Sequence, residues 1–498
     1  MYLRRHDAFS LVFFTKMILC GLHGNVCVCM MASISTSTPT SSSTPTSTPT
    51  SSSTPFDRLR QEIEAGSNVY LSGVGGCGKT YLLKKLHAYF AKRKKCVLSS
   101  TTGISAYNLG GITIHSWCKI VIPSVVDNVH KWAQQLVQKL LRRHRVRSSY
   151  LTTEVLFVDE VSMLGANYLD VLNYVCQQLR CSTKPFGGLQ LVLSGDMMQL
   201  PPVRDDFPFE SASWSGMGLK YFRLTKAWRF DNQTWVDLLH RARLGQLTQD
   251  DRLLLRSRVK KFRPTDAVVP PVFLSSTNDV VDDINTQRLS ENAAELTEVM
   301  AHDFLAVKDD DDHILELQPM KVPEDVSKQF MADASVKLKP GAQVMLLANL
   351  DVDKGFTNGT RGVVRSVRLT PSTPAALIDD DECRMPSVTV SVDFETGPLD
   401  VQLHQFLVDV RDVTYVRLAI PLRLAFATSI HKSQSLTLSS VEVDIGPKVF
   451  SEGQSYVALS RCKSLDGLYI RALDFSKIRP HPKALEFEMT FLDACVDL

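Results

Sequence analysis

The chain has 498 residues, 44% of them hydrophobic, and is therefore long enough to hold more than one domain with sizeable cores. Its 56 basic and 53 acidic residues give a net charge of only +3, which excludes nucleic-acid binding through bulk charge and restricts any such site to a local groove. The 11 cysteines are scattered without a C-x-x-C spacing, so the pattern excludes a disulfide framework and a zinc site and favours reduced thiols.

The N-terminal segment, residues 1–55, contains one acidic residue, Asp7, and an apolar stretch that Lys16 interrupts. A membrane span needs about 20 uninterrupted apolar residues, so no membrane association is predicted. The segment is acid-poor and Ser-rich but contains few arginines, which leaves a mitochondrial transit peptide and a secretory signal open as interpretations. Residues 33–55 are almost all Ser, Thr and Pro and predict a disordered tether.

A glycine-rich loop follows an apolar run at residues 69–71 and precedes a helical pattern. Its spacing is G-x-x-x-x-G-K-[ST], and a strand before it and a helix after it are the context that a phosphate-binding loop requires. The backbone N–H groups of such a loop surround a polyphosphate at a helix N-terminus. We predict that Lys79 contacts the β- and γ-phosphates and that the Thr80 hydroxyl holds Mg²⁺. The predicted nucleotide-binding residues are Gly73, Val74, Gly75, Gly76, Cys77, Gly78, Lys79 and Thr80.

Two carboxylates, Asp159 and Glu160, end an apolar run at residues 155–158 that predicts a buried parallel strand. Open α/β sheets bind ligands at the carboxyl ends of their strands, so both acids should lie beside the phosphate loop. We predict that Asp159 binds Mg²⁺, with a helix cap as its alternative role, and that Glu160 orients and deprotonates the attacking water. A further predicted strand, residues 189–194, leads to Gln199, which is placed to sense the γ-phosphate.

Further motifs are spread along the rest of the chain: TTGISAYNLGGITIHSW, FVDEVSML, PFGGLQLVLSGDMMQLPPV, LTKAWRF, SSTNDVVDDIN, GAQVMLLANLD, TNGTRGVV, ATSIHKSQSLTL and GQSYVALSRCKSL. Together with the phosphate loop, this set resembles the Pif-type DNA helicases, a branch of the RecD-like superfamily 1 motors. The resemblance covers residues 56 to about 475. The combination is specific, whereas the phosphate loop alone would indicate only a nucleotide-binding protein.

The resemblance implies an α/β fold in which two RecA-like P-loop NTPase lobes with parallel sheets clamp ATP, with a small β-barrel inserted in the second lobe. We expect a targeting and disordered segment at residues 1–55 and the first lobe at 56–223. The second lobe is expected at 224–340 and 419–498, and the barrel at 341–418. Dense β-branched runs between turn signals support the barrel independently of the resemblance.

The resemblance also assigns two arginines to the far side of the cleft. Arg229 and Arg461 match the family's γ-phosphate arginines, and an arginine supplied from an opposite lobe makes hydrolysis depend on lobe closure. With Lys79, Glu160 and Gln199 they complete the predicted catalytic set. A surface ion pair is the alternative role for each arginine.

Seven positions match the family's strand-contacting residues. Their hydroxyls, imidazoles and backbone N–H groups are suited to hold phosphates without reading bases. Trp117 or Tyr107 would either stack on a base or belong to the core, and the sequence leaves both roles open. The predicted DNA-binding residues are Thr102, Gly103, His115, Ser116, His431, Ser433 and Gln434.

Three features depart from the family pattern. No glutamine-containing adenine-recognition segment is found near Phe56, so ATP as the nucleotide is implied only by the resemblance. Phe230 stands where a glutamine usually follows the arginine, which predicts weaker γ-phosphate sensing. Ser435 replaces the glycine of the family's HKSQG motif, which predicts a stiffer loop.

The motifs therefore predict an ATP-dependent, Mg²⁺-requiring helicase that moves 5′ to 3′ on single-stranded DNA, the polarity being implied by the resemblance alone. Single-stranded and forked DNA are the expected partners, RNA–DNA hybrids and G-quadruplexes are further candidates, and a monomer is expected. We expect an intracellular address, in the nucleus or the mitochondrion. A translocase that strips proteins or resolves G-quadruplexes without processive unwinding is the alternative, and a non-catalytic single-strand-binding scaffold is a third hypothesis.

Overall fold

The computed structural model describes residues 54–120, 129–230, 232–260, 269–308, 314–370, 387–410 and 413–498. The predicted targeting segment and nearly all of the Ser/Thr/Pro tether therefore lie outside the described residues. Thr54, the first of them, accepts a hydrogen bond from the Asp57 N–H through its hydroxyl, and Pro55 occupies the first helical turn. This N-cap begins the first helix of the first lobe.

The helices are α1 (Pro55–Glu64), α2 (Lys79–Phe90), α3 (Gly103–Leu109), α4 (Ile114–Cys118), α5 (Val129–Leu141), α6 (His144–Thr152), α7 (Ala166–Leu179), α8 (Ala212–Gly216), α9 (Gln233–Leu244), α10 (Gln249–Arg256), α11 (Asn278–Glu291), α12 (Glu324–Ser327), α13 (Gln454–Ser460) and α14 (Pro482–Ala494). The strands are β1 (Val69–Gly73), β2 (Cys96–Ser100), β3 (Ile112–Thr113), β4 (Val155–Asp159), β5 (Gln190–Ser194), β6 (Lys220–Leu224), β7 (Val272–Ser275), β8 (Thr297–Met300), β9 (His302–Lys308), β10 (Ile314–Pro319), β11 (Ser335–Leu338), β12 (Gln343–Leu346), β13 (Arg361–Thr370), β14 (Ser387–Phe394), β15 (Gly397–Val401), β16 (His404–Val410), β17 (Val413–Ala419), β18 (Leu422–Leu424), β19 (Ala427–Ser429), β20 (Val441–Ile445), β21 (Leu468–Leu473) and β22 (Val496–Asp497).

The first lobe is built on a seven-stranded sheet of order β22-β6-β1-β5-β4-β2-β3, in which every neighbouring pair is parallel. Strands β1, β4 and β5 are buried along their whole length, as expected of a parallel sheet covered by helices. Because these strands run in one direction, the phosphate loop and the loops after β4 and β5 leave the sheet at the same edge.

The second lobe contains a four-stranded parallel sheet of order β19-β7-β20-β21. Its core includes Leu274 and Val443, both fully buried, against Trp235 of α9. The Trp235 indole N–H donates to the Cys462 carbonyl at 3.2 Å, so the buried ring has its polar atom satisfied. Two parallel α/β sheets in one chain confirm the predicted fold class.

The β-rich insert is wider than predicted. Strands β9, β10, β16 and β17 form one antiparallel sheet, β12, β13, β14, β15 and β18 form another, and β8 pairs with β11. The insert therefore covers residues 297–424 instead of 341–418. The sequence placed residues 297–340 in the second lobe because β8 to β10 carry charged and polar residues among their apolar ones and lack a dense β-branched run.

The end of the chain returns to the first lobe. Helix α14 packs Phe491 against Tyr70 of β1 with ring centroids 5.6 Å apart, and β22 pairs with β6. Arg223 of β6 donates twice, at 2.7 Å, to the Asp497 carboxylate. The assignment of residues 482–498 to the second lobe is therefore wrong, since a two-residue strand leaves no sequence pattern to predict.

Two further observations concern the described ranges alone. Within them no helix combines the length and the apolar character that crossing a bilayer requires. The seven cysteines in the same ranges are all free, which agrees with the predicted reduced thiols.

Candidate active site

The phosphate loop joins β1 to α2 and folds through left-handed glycines. Gly76 and Gly78 have φ angles of 84° and 92°, which side-chain-bearing residues rarely adopt. A Cβ on Gly76 would also lie 2.6 Å from the Cβ of Arg229, so glycine permits the close approach of the two segments. Lys79 is 8% exposed, and its ammonium donates to the Gly73 and Val74 carbonyls at 2.6 and 3.2 Å. The Lys79 ammonium group is thus held inside the predicted phosphate loop.

Asp159 lies at the end of β4 and contacts the phosphate loop. The Thr80 hydroxyl donates to Asp159 Oδ2 at 2.7 Å. Burial, together with the neighbouring charge of Glu160, raises the pKa of Asp159 to about 6. Mg²⁺ prefers hard oxygen ligands and usually takes one or two from protein, completing its shell with phosphates and water. The Thr80 and Asp159 oxygens fit that requirement, although the described residues contain no cluster of three or more His, Cys, Asp or Glu suited to a metal.

Glu160 points across the cleft toward the second lobe. Its backbone has φ 55°, an uncommon left-handed conformation for a residue with a side chain. The carboxylate accepts a hydrogen bond from Gln434 Nε2 at 3.2 Å and one from the Ser435 hydroxyl at 2.6 Å. The predicted general base is therefore in direct contact with the opposite lobe.

Arg461 reaches the phosphate loop from the end of α13. Its guanidinium donates to the Val457 carbonyl at 3.0 Å and to the Ser460 hydroxyl at 2.8 Å, and a Cβ on Gly75 would lie 3.7 Å from its Nη2. Burial, followed by the charge of Arg229, lowers the pKa of Arg461 to about 10, so it stays protonated at neutral pH. Arg229 lies within 3.5 Å of the Ser460 carbonyl, and burial lowers its pKa. Both predicted arginines therefore face the loop.

One cleft of about 520 Å³ between the lobes is lined by Lys79, Thr80, Glu160, Arg229 and Arg461. Gln199 also lines it, and its amide Nε2 donates to Asp196 at 3.4 Å while its Oε1 has no partner among the described residues. An amide oxygen in that position is available to accept a hydrogen bond from a water. The lining residues are Gly75, Gly76, Gly78, Lys79, Thr80, Ser105, Asn108, Glu160, Gln199, Trp228, Arg229, Ser435, Thr437, Arg461 and Lys463.

The sequence did not predict the roles of two aromatic residues, Tyr456 beside the phosphate loop and Trp228 in the cleft. The Gly75 N–H donates to the Tyr456 hydroxyl at 3.1 Å, and that hydroxyl donates to Asp196 at 3.3 Å, so the second lobe contacts the phosphate loop directly. Trp228 lines the cleft with 68% of its surface exposed, and Lys226 lies 3.8 Å from its ring centroid. The signals available were a tyrosine five residues before Arg461 and a tryptophan beside Arg229.

A buried ion network lies behind the cleft. Arg243 of α9 donates to Asp196 at 2.8 Å and to Glu488 of α14 at 2.9 Å, and all three side chains are almost fully buried. Burial acts to raise the pKa of Asp196, but the charge of Arg243 outweighs it and the pKa lies below the usual range. The stabilisation is therefore present above the unfolded-state pKa of about 4 and is lost as pH falls through the lowered value.

Replacing Arg243 by methionine is expected to destabilise the protein by about 3–5 kcal/mol, because two buried carboxylates lose their counterion. The corresponding drop in Tm is roughly 3–5 °C for a chain of this length, measured by thermal melting. Arg288→Met, which breaks an exposed pair with Glu291, is the control and should change Tm little. Equal melting of the two variants would show that the buried network contributes no net stability.

The predicted DNA-binding residues of the first lobe follow two paired parallel strands, β2 and β3. Thr102 caps α3 by accepting from the Ser105 N–H at 3.2 Å, and Gly103 has open space around its Cα. His115 is exposed, and Ser116 accepts a hydrogen bond from the Thr113 hydroxyl at 2.9 Å. The four residues therefore share one edge of the sheet, and their contact with single-stranded DNA stays a prediction.

Two of the three second-lobe residues are buried. Ser433 is fully buried and donates to the Ile430 carbonyl at 2.8 Å, and the Gln434 amide lies on Glu160. The loop turns both side chains inward in this conformation, and their contact with DNA stays a prediction. His431 is half-buried and remains the candidate of this group.

The two aromatic residues that the sequence left open have structural contacts. Trp117 is 4% exposed and packs beside Tyr150, with ring centroids 5.0 Å apart, so it belongs to the core. The Tyr107 hydroxyl lies 3.2 Å from His404 Nε2 and accepts from the Asn349 N–H at 3.3 Å. Tyr107 therefore joins the first lobe to the insert.

Comparison with known proteins places this geometry in a family. The family model of the PIF1-like helicase matches residues 56–251, and that of the DNA helicase Pif1 2B domain matches residues 322–367, inside the insert. The crystal structure of the Pif1 helicase from Candida albicans is 30% identical, with a TM-score of 0.69 over 87% of this chain and 98% of that one. The chain belongs to the PIF1-like helicase family.

Other members of the PIF1-like family are similar over comparable lengths. The ATP-dependent DNA helicase PIF1 of Homo sapiens is 32% identical over 444 residues, which are 85% of this chain and 61% of the human protein. A Bacteroides Pif1 helicase in complex with ADP-AlF3 and ssDNA is 26% identical, with a TM-score of 0.57 over 89% of this chain and 98% of that one. The chain thus spans about six tenths of the length of the human relative.

Proposed function

We propose that this protein is an ATP-dependent DNA helicase that moves 5′ to 3′ on single-stranded DNA and unwinds duplex or structured DNA in genome maintenance. The observation that carries the proposal is the cleft in which Lys79 and Glu160 of one lobe meet Arg461 of the other. Family membership, and the nucleotide and ssDNA in the Bacteroides complex, support the substrates. The polarity is carried over from the family resemblance.

The cleft gives each side chain a role in phosphoryl transfer. Lys79 holds the terminal phosphates, Glu160 orients the attacking water and accepts its proton, and Arg461 stabilises the developing charge. When Mg²⁺ is bound, Thr80 and Asp159 are the oxygens that would hold it, and it supplies positive charge against the polyphosphate. Because the base and the arginine sit on different lobes, hydrolysis depends on closure, and repeated closure and opening moves the lobes along a strand.

Partners and location follow from the same proposal. Single-stranded and forked DNA bind along the edge that carries Thr102, Gly103, His115 and Ser116, with His431 on the second lobe. RNA–DNA hybrids and G-quadruplexes are further candidate substrates. The protein acts as a monomer in the nucleus or the mitochondrion, and a transit peptide within residues 1–55 would direct it to the second of these.

The proposed function is tested by an unwinding assay with forked, 5′-tailed and 3′-tailed duplexes, using ATP or GTP. Unwinding of the forked and 5′-tailed substrates with ATP is expected, and Lys79→Ala should abolish it. Unwinding from 3′ tails only would overturn the polarity. Strand-stimulated ATP hydrolysis that displaces bound protein without opening duplex would instead identify a translocase, and ATPase activity indifferent to single strands would contradict both.

Trp228 is expected to contribute to nucleotide affinity. Its exposed ring lies at the mouth of the cleft beside Gly78, whose Cβ position would be 3.7 Å from Trp228 Cδ1, and a base stacked on it would replace the missing adenine-recognition segment. Trp228→Ala should raise the KM for ATP about two- to tenfold with kcat little changed, given the usual strength of aromatic stacking. Trp228→Phe is the control and should retain most of the affinity. An unchanged KM in the alanine variant would exclude the ring from base binding.

A further inference from the structure

Ser435, in the loop between β19 and β20, is unusual in both backbone and side chain. Its φ angle of 68° lies in the left-handed region, which glycine occupies without strain and serine disfavours. Its hydroxyl donates to Glu160 Oε1 at 2.6 Å, a contact that glycine would be unable to make. A disfavoured conformation is thus accompanied by a short charge-assisted hydrogen bond to the proposed general base.

The loop holds both oxygens of the Glu160 carboxylate. Gln434 Nε2 donates to Oε2 at 3.2 Å while Ser435 occupies Oε1, and Glu160 is only 8% exposed. Each carboxylate oxygen has two lone pairs, so each keeps an acceptor position for the attacking water. The donors therefore fix the orientation of the base without blocking its chemistry.

Backbone hydrogen bonds also connect the part of the loop between Ser429 and Leu436. The Ser433 N–H donates to the Ser429 carbonyl at 2.9 Å, the Gln434 N–H to the His431 carbonyl at 3.2 Å, and the Leu436 N–H to the Ser433 carbonyl at 3.0 Å. His431 is the residue of this loop that is proposed to contact single-stranded DNA. A displacement of His431 would therefore also displace Gln434 and Ser435, the donors to Glu160.

We propose that Ser435 is a positioning residue for Glu160. Through Ser435, the loop that is proposed to contact single-stranded DNA sets the orientation of the general base. The proposal rests on the proposed ATP hydrolysis and adds to it a direct link between strand binding and turnover. A hydrogen bond to a charged group is strong enough to change a rate by roughly tenfold or more.

The test compares Ser435→Ala with Ser435→Gly in the full chain, with Ser290→Ala on the exposed surface of α11 as the control. The kcat and the KM for ATP are measured with and without single-stranded DNA, and Tm is measured for each protein. Both Ser435 variants should lose about tenfold or more in strand-stimulated kcat, with a smaller loss in basal turnover and the KM for ATP unchanged. The glycine variant should melt no lower than wild type because it relieves the left-handed strain.

The two substitutions separate the hydroxyl from the backbone. Normal kcat in Ser435→Gly with a slow Ser435→Ala would assign the effect to backbone conformation and overturn the proposal. Normal kcat in both variants, or a raised KM in place of a lowered kcat, would also overturn it. The wild type is measured first, and absence of strand-stimulated hydrolysis there would overturn the proposed function itself, an outcome distinct from the failure of Ser435 alone.

Discussion

Replacing Glu160 by glutamine is expected to slow ATP turnover by about 10²–10⁴-fold while ATP and single-stranded DNA remain bound. The amide keeps the size and shape of the carboxylate, and its single oxygen still accepts from one of the two second-lobe donors, Gln434 or Ser435. It is not basic enough to accept a proton from the attacking water. Steady-state hydrolysis, measured together with retention of labelled ATP and DNA on the protein, tests both parts of the expectation.

Glu64→Gln provides the matched control, because Glu64 forms an exposed ion pair with Arg60 on α1, outside the cleft. Its turnover should equal that of the wild type. Normal turnover in Glu160→Gln would mean that another group is the general base. Loss of ATP binding in the same variant would mean that the carboxylate contributes to binding ATP and not to activating the attacking water.

The first lobe was predictable because its chemistry lies in contiguous motifs with diagnostic flanks. The phosphate loop is bounded by a strand and a helix, and Asp159 and Glu160 directly end a buried strand. Parallel pairing then brings these segments to one edge of the sheet, so local pattern and topology together fix the site. That Arg461 faces this edge was predicted from the family resemblance, because the local sequence pattern does not indicate it.

The parts that were not predicted depend on contacts between distant segments. Tyr456 meets Gly75 across 381 positions of sequence, and Arg243 meets Glu488 across 245. Such pairs leave no periodicity in either segment. Ser433 and Gln434 were predicted as DNA contacts because they match the family's motif, but which side of a loop turns inward is decided by the packing of the two lobes.

Replacing Arg461 by alanine is expected to lower strand-stimulated kcat by about 10³-fold or more, with ATP binding nearly intact. The guanidinium is held by Val457 and Ser460 so that it faces the phosphate loop. In the proposed mechanism it stabilises the charge that develops on the γ-phosphate. Its main contribution is therefore to the transition state, which a stopped-flow comparison of nucleotide binding and single-turnover hydrolysis measures directly.

Arg461→Lys is the control that separates charge from geometry. Lysine keeps the positive charge but lacks the planar fork of the guanidinium, so only part of the activity should return. In the wild type, the pKa of about 10 means that the arginine stays charged through neutral pH, and its contribution to the rate should decline only as pH rises toward that value. If Arg461→Ala instead weakened ATP binding in proportion to turnover, the arginine would be a ground-state contact, and the coupling between lobe closure and hydrolysis would have to depend on Arg229 alone.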